Sequence, residues 1–330
     1  MAKNVDAPPN DAEFVEQTEP YRRELLAHCY RMLGSVHDAE DLVQETYLRA
    51  WRSYGGFEGR SSLRSWLYRI ATNACLTALQ HRGRRPLPSG LGGPADDPYA
   101  APDPPAAGVT WLQPIPDALV TPESADPAAI VAARDSLRLA LIAGLQYLPP
   151  RQRAVLILRD VLAWPAAEVA EMLDTTTPAV KSALQRARAR LEEVAPTADE
   201  LTEPTDPAAR AQLDQYIAAF ENADAAALER LLRRDATLEV MPSPTWYDGF
   251  TNCMPILRMA VGAPGDWLMI PTTANGQPAA AAYHRDAGGA YQAYGIAVIA
   301  PTASGVAGIV VFGDPGLFST FGLPPHRPPA

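Results

Sequence analysis

The chain has 330 residues, enough for two or three compact units, and its 47% hydrophobic and 20% charged residues are a globular composition. Its three cysteines, Cys29, Cys75 and Cys253, lie far apart without paired spacing, which argues against a disulfide framework or a zinc knuckle and fits a reducing cytosol. The N-terminus has neither the basic start nor the apolar run of a signal peptide, and no segment reaches the roughly 18 apolar residues of a membrane span. A cytoplasmic protein with no membrane partner and no cofactor is the expectation.

A net charge of −10 argues at first against a nucleic-acid partner. Its distribution reverses that. Residues 60–85 hold six Arg and no acid, and residues 178–191 hold three Arg, Lys181 and no acid. The acids gather in 86–135, seven against Arg134 alone, and from Pro196 onward, fourteen against seven Arg.

In chain order, Tyr21, Leu25, Cys29, Met32 and Leu33 make a first helical stripe, interrupted at Gly34-Ser35. Ala39, Val43, Tyr47, Ala50 and Tyr54 make a second, ended by Gly55-Gly56. Ser61 or Ser62 caps a third, carrying Leu63, Trp66, Leu67, Ile70, Ala71, Ala74 and Ala78. Residues 12–85 are thus predicted to form a helical bundle. Residues 86–127 are rich in Pro, Gly and Ala and read as an extended linker, with one apolar island, Trp111-Leu112-Gln113-Pro114-Ile115-Pro116-Asp117, that marks a docking point or local packing.

Helices resume over 128–194, with Leu137, Leu141 and Leu145 first and Val155, Leu156, Leu158, Val161 and Leu162 next. A short helix at 166–173, a turn at 174–177 and a basic helix opened by Pro178 follow, in helix-turn-helix order. After a second linker, 195–207, the segment 208–323 changes character, and 324–330 is a tail. Two helices end near Leu232; strands are predicted over 236–241, 267–271, 279–285, 290–299 and 306–312, with Asn275-Gly276 and Gly288-Gly289 as hairpin turns. The fold class is therefore multidomain: two all-α domains, a helical bundle and a helix-turn-helix, followed by an α+β domain.

Three constellations carry chemistry. Asp38, Glu40, Asp41, Gln44 and Glu45 give the second helix an acidic face. Phe57, Trp66 and Tyr68 stand among Ser61, Ser62, Thr72, Asn73, Arg60, Arg64 and Arg69, the mixture of stacking surfaces and cations that an unpaired base requires. On the last basic helix, Val180, Leu184, Ala187 and Leu191 face inward. Lys181, Ser182, Gln185, Arg186, Arg188 and Arg190 remain outside, able to read base edges and neutralise phosphate in a major groove.

The run DAEDLVQETYLRAW with FEGRSSLRSWLYRIATNACLTALQHRGRR resembles region 2 of the extracytoplasmic-function sigma factors, and LPPRQRAVLILRDVLAWPAAEVAEMLDTTTPAVKSALQRARARL resembles their region 4. The resemblance implies a transcription initiation factor without catalytic residues. Its partners would be RNA polymerase core, through the beta and beta-prime subunits, and promoter DNA. It places Asp38, Asp41, Gln44 and Glu45 against the polymerase clamp helices, and Phe57, Arg60, Ser61 and Ser62 in a loop that captures a flipped −10 base, with Arg64, Arg69 and Asn73 beside it. Thr177, Lys181, Ser182, Gln185, Arg186 and Arg188 would grip the −35 duplex. Ala183 and Gln185 depart from the family, where Arg and His are frequent.

The island WLQPIPD and the long extension are similar to the subgroup ending in a SnoaL-like, ketosteroid-isomerase-like cone, a curved and mostly antiparallel sheet that regulates the factor. Trp246, Tyr247, Tyr283 and Tyr294 are candidates to line a pocket for a small ligand. Asp224, Asp235, Asp248, His284 and Asp286 are acid-base candidates by type only, and no pair among them has catalytic spacing. The alternative reading is a ligand-responsive helix-turn-helix regulator that acts without polymerase; a third is an isomerase or cyclase tethered to DNA.

Overall fold

The computed structural model describes residues 11–59, 61–81, 83–122, 126–194 and 201–328. The chain divides into two compact units, one from Met1–Arg85 with Leu119–Pro196 and one from Pro86–Ala118 with Thr197–Ala330.

The first unit is all helical. Helices α1 (Asp11–Thr18), α2 (Arg22–Leu33), α3 (Val36–Ser53) and α4 (Leu63–Leu79) form its first module. Gly34 ends α2 in the left-handed region at φ 67°, with the Gln146 amide 3.1 Å from where a Cβ would stand. Ser35 then caps α3 through Asp38 N–H, and Ser62 caps α4 through Ser65 N–H at 3.0 Å. Leu25, Cys29, Met32, Leu67, Tyr68 and Cys75 are fully buried between them. The chain returns through α5 (Asp117–Val120) to α6 (Pro127–Asp135), α7 (Leu139–Leu145), α8 (Pro150–Leu156), α9 (Ala166–Met172) and α10 (Thr177–Val194). Between α8 and α9 the helix widens into a π turn, Ile157–Val161, which closes with Leu162 N–H on the Ile157 carbonyl at 2.9 Å.

Buried arginines join the two helical modules. Arg153 donates to the Met32 carbonyl at the end of α2, to Gln146 Oε1 at 2.8 Å, and to the Gln146 and Leu148 carbonyls at 3.2 Å each. Arg31 donates to Ser136 Oγ at 2.6 Å and to the Ser136 carbonyl at 3.2 Å. Burial lowers both guanidinium pKa values to about 10, which leaves them charged at neutral pH.

The second unit is α+β. Helices α11 (Pro207–Glu221), α12 (Ala225–Leu231) and α13 (Phe250–Ala260) pack on a sheet of strands β1 (Leu232–Met241), β2 (Trp246–Asp248), β3 (Trp267–Ala274), β4 (Gln277–Arg285), β5 (Tyr291–Thr302) and β6 (Gly305–Phe312). The order is β2-β1-β6-β5-β4-β3, with β1 and β6 parallel and the other neighbours antiparallel. A short helix α14 (Leu317–Thr320) lies against β5, and β7 (His326–Arg327) pairs with the start of β5. The expected turn at Asn275-Gly276 joins β3 to β4, both residues at positive φ, 56° and 65°.

Three features depart from the sequence reading. The sequence gives no element over 250–260, because Pro255 interrupts the pattern; α13 forms there with the proline inside it, held by Cys253, Met254 and Leu257 in the core. The three-residue β2 is too short to show a period of two. The expected linker is also split: residues 86–118 lie on the second unit instead of running free. Leu112 and Ile115 are buried there, and Pro116 bridges to Ala274. Ile115 N–H donates to Asn275 Oδ1 and Asn275 N–H to the Ile115 carbonyl, each at 3.0 Å. Asp117 Oδ1 accepts from Gly276 N–H at 2.8 Å, and Glu239 Oε2 from Ser89 N–H at 2.8 Å. Too few apolar residues to form a core of its own are still enough to dock on an existing one, each large side chain contributing about 1.5–3 kcal/mol.

Candidate nucleic-acid interface

Helix α3 presents the expected acidic face unevenly. Asp41 and Gln44 are exposed and Glu45 is half-buried, pairing with Arg49 at 2.7 Å. Asp38 instead faces Arg85 at 2.5 Å, and the two side chains are only 16% and 14% exposed, so this carboxylate is shielded by an ion pair. The sequence reading missed Leu48 and Trp51, which are 51% and 40% exposed and continue the Asp41–Gln44 stripe along the helix. Their spacing of seven residues from each is the signal that could have found them.

Beyond α3, Phe57 stacks near Tyr54 and lies 4.9 Å from the Trp66 ring. Phe57, Ser61, Ser62, Ser65, Trp66 and Arg69 line a cleft of about 720 Å³, whose far wall is Glu168, Glu171 and Met172 of α9. Half-buried aromatics, hydroxyls and a cation in one concavity suit an extruded base. Asn73, one helical turn past Arg69, is also exposed. Arg60 lies outside the described residues. Arg64 is committed elsewhere: it is bidentate to Glu24 at 2.8–2.9 Å, and its guanidinium sits 5.1 Å from both the Tyr68 and Trp164 rings. Trp164, buried just before α9, thereby packs the second module onto α4, with the Tyr68 ring at 5.3 Å.

Under this surface His28 is fully buried, with Nε2 2.9 Å from Thr72 Oγ1. Burial first, and Arg31 second, push its pKa down to about 3, so it is a neutral core residue.

On α10, Val180, Leu184 and Ala187 are buried, while Lys181, Ser182, Gln185, Arg186 and Arg188 are exposed and Thr177 is half-buried at the N-terminus. Arg186 donates to Ser182 Oγ at 2.6 Å. Arg188 makes a bidentate pair with Asp160 of the π turn at 2.8 and 2.7 Å. Asp160 is 28 positions away and carries no local signal. Lys181, Gln185 and Arg188 line one groove along the helix, floored by Leu184 and closed by Glu192.

The four candidate pocket aromatics fall in separate places on the second unit. Tyr247 belongs to the core, Trp246 donates to the Gly92 carbonyl at 2.9 Å, Tyr283 packs on Phe318 with its hydroxyl on the Pro324 carbonyl, and Tyr294 lies against Trp267. Among the acid-base candidates, Asp224 caps α12, Asp235 pairs with Arg233, Asp248 is exposed at the end of β2, and Asp286 holds the turn before β5. The His284 ring sits 4.8 Å from that of Trp267. Among the described residues no cluster of metal-ligating side chains is found, and no helix is long and apolar enough to cross a membrane.

Comparison with known proteins gives this geometry a family. Residues 18–85 match Sigma-70 region 2 and residues 138–191 match Sigma-70, region 4. The chain is 52% identical over 330 residues to the ECF RNA polymerase sigma factor SigG of Mycobacterium tuberculosis, covering 98% of this chain and 88% of SigG. It is 31% identical over 224 residues to SigJ of the same organism, covering 68% of this chain and 63% of SigJ. The crystal structure of SigJ shares the fold, the C-terminal α+β unit included, with a TM-score of 0.59 at 24% identity over 94% of this chain and 99% of that one. With both sigma regions in order on one helical unit and half its residues shared with SigG, the chain belongs to the extracytoplasmic-function RNA polymerase sigma factors, transcription initiation factors and not enzymes.

Proposed function

We propose that the protein, acting in the cytoplasm, directs RNA polymerase core to promoters by docking through α3 and reading DNA through the 57–73 cleft and α10. The observation that carries this is the presence on one unit of an open cleft lined by aromatics and hydroxyls and of a basic face on the last helix of a helix-turn-helix. A regulator acting without polymerase needs only the second. Asp41, Gln44, Glu45, Leu48 and Trp51 would meet the clamp helices on the beta-prime side, with the second module placed toward the beta subunit. Phe57, Ser61, Ser62, Arg69 and Asn73 would hold the −10 strand, and Lys181, Ser182, Gln185, Arg186 and Arg188 the −35 duplex. Asp38 and Arg64 support their neighbours in this scheme.

The second unit modulates that activity by holding the segment that connects the two modules. Elements centred near −10 and −35 are about 25 base pairs, or roughly 85 Å, apart at about 3.4 Å per base pair. The 33 residues of 86–118 reach about 110 Å when extended at roughly 3.3 Å each. They cannot do so while docked by Leu112, Ile115 and Asp117, so promoter engagement requires their release. The scattered aromatics give no reason to include a small ligand.

The test is binding of the full chain to core polymerase with Trp51→Ala and Leu48→Asp beside the wild type, followed by permanganate footprinting on selected promoters. Loss of core binding in both variants supports the docking surface. Open complexes that form equally well with these variants refute it.

A further inference from the structure

The pairing of Arg188 with Asp160 has a consequence for how α10 reads DNA. A guanidinium has two edges that can each make a bidentate contact: the Nε/Nη2 edge and the Nη1/Nη2 edge. Here the first is used: Nε donates to Asp160 Oδ2 at 2.8 Å and Nη2 to Oδ1 at 2.7 Å. Among the described residues nothing else bonds Arg188, so Nη1 and the second hydrogen of Nη2 form the remaining fork. The side chain is 58% exposed, on the same groove as Lys181 and Gln185, two turns and one turn toward the helix N-terminus. Asp160, by contrast, is 30% exposed and belongs to the closed π turn, so it is the fixed member of the pair.

We infer that Asp160 is a positioning residue that holds Arg188 with its outer fork toward a pair of acceptors on the −35 duplex, the O6 and N7 of one guanine. The inference rests on the reading of α10 as the duplex-binding helix. The fork also matches two phosphate oxygens, but charge favours the base. A carboxylate beside Arg188 cancels its charge and would itself be repelled by the backbone, so the pair is poor at phosphate neutralisation, whereas guanine recognition is a matter of direction. Lys181 and Arg186, without a carboxylate partner among the described contacts, are the phosphate-gripping cations of the helix.

Holoenzyme made from core polymerase and the full chain would be titrated with promoter duplexes and scrambled controls over a salt series, using Asp160→Ala, Asp160→Glu and Arg188→Ala. Arg188→Ala should lose about 5- to 150-fold in discrimination at one base pair, the range of one bidentate contact. Asp160→Ala should lose most of the discrimination that Arg188→Ala loses at that same base pair while binding scrambled duplex as well as the wild type or better. Its salt dependence should steepen by about one ion, because Arg188 is released as a free cation. Asp160→Glu, which keeps two acceptors, should restore most of the discrimination. Replacing that guanine by 7-deazaguanine should weaken the wild type and leave Arg188→Ala unchanged. Sensitivity to a methylphosphonate instead would show phosphate as the target and overturn the guanine assignment. If Asp160→Ala strengthens cognate and scrambled binding alike, the carboxylate restrains Arg188 and the inference fails. A Lys181→Ala, Gln185→Ala double variant separates the two levels: if it too has no effect on duplex binding, the reading of α10 falls, and if it weakens binding while Asp160→Ala does not, only the positioning role falls.

Discussion

Replacing Ile115 by alanine tests whether residues 86–118 are held on the second unit as a releasable segment. Ile115 is fully buried, its N–H is bonded to Asn275 Oδ1, and its carbonyl accepts from Asn275 N–H. An isoleucine-to-alanine change in a close-packed site costs about 2–5 kcal/mol. The loss falls on docking, because the β3–β4 hairpin that receives the segment keeps its own ladder from Trp267↔His284 to Ala274↔Gln277. Taking about 3 kcal/mol, the amides of Leu112, Ile115 and Gly276 should exchange with deuterium about 100-fold faster through local opening, at about 1.4 kcal/mol per tenfold. Amides in the middle of β5 and β6 should be unaffected. Native-state exchange read by mass spectrometry separates the two sets. Equal acceleration across the sheet would mean that the segment is part of one cooperative core, and no acceleration at Leu112 and Ile115 would mean that it is not anchored there; either result refutes the reasoning.

Arg153→Met should destabilise the first unit by about 3–5 kcal/mol, measured by urea titration, because the Met32, Gln146 and Leu148 carbonyls lose their donor; Arg153→Lys should not recover it, since one ammonium cannot span the fork. His28 has a folded pKa near 3 against an ordinary 6.5, so the unfolded chain binds the extra proton. Its contribution to stability is complete above pH 6.5 and lost as pH falls toward 3, by up to about 1.4 kcal/mol per pH unit, and His28→Gln should flatten that slope in urea titrations across the range. Burial raises the Glu239 carboxyl pKa, so its ionised form opposes folding as pH rises above the ordinary carboxylate range. Glu239→Gln, still able to accept from Ser89, should therefore raise the melting temperature at pH 7, and the difference from wild type should shrink on acidification.

The helices α2, α3, α4 and α10 were legible because their amphipathic period holds over three or more turns, and the two-turn α8 and α9 because Pro150 and Pro165 mark their starts. The strands β4 to β6 were legible from their apolar runs and the Asn275-Gly276 turn. What escaped depends on partners distant in the chain. Asp38 reads as a surface acid until Arg85 covers it, and Arg64 as a DNA contact until Glu24, forty positions earlier, is seen to hold it. Asp160 has no pattern of its own and acquires meaning only when the π turn brings it to Arg188. The island at 111–117 was recognisable as out of place in its surroundings, yet its receptor, the Asn275-Gly276 turn, could come only from the fold.

The most direct test of the account is run-off transcription with purified core polymerase, the full chain and promoters selected from genomic DNA, with Ile115→Ala assayed in parallel. Specific initiation should depend on the added chain, with more product from Ile115→Ala because its connecting segment releases more readily. Core polymerase that neither binds the chain nor initiates with it, on promoters whose duplex the chain still recognises, would contradict the account.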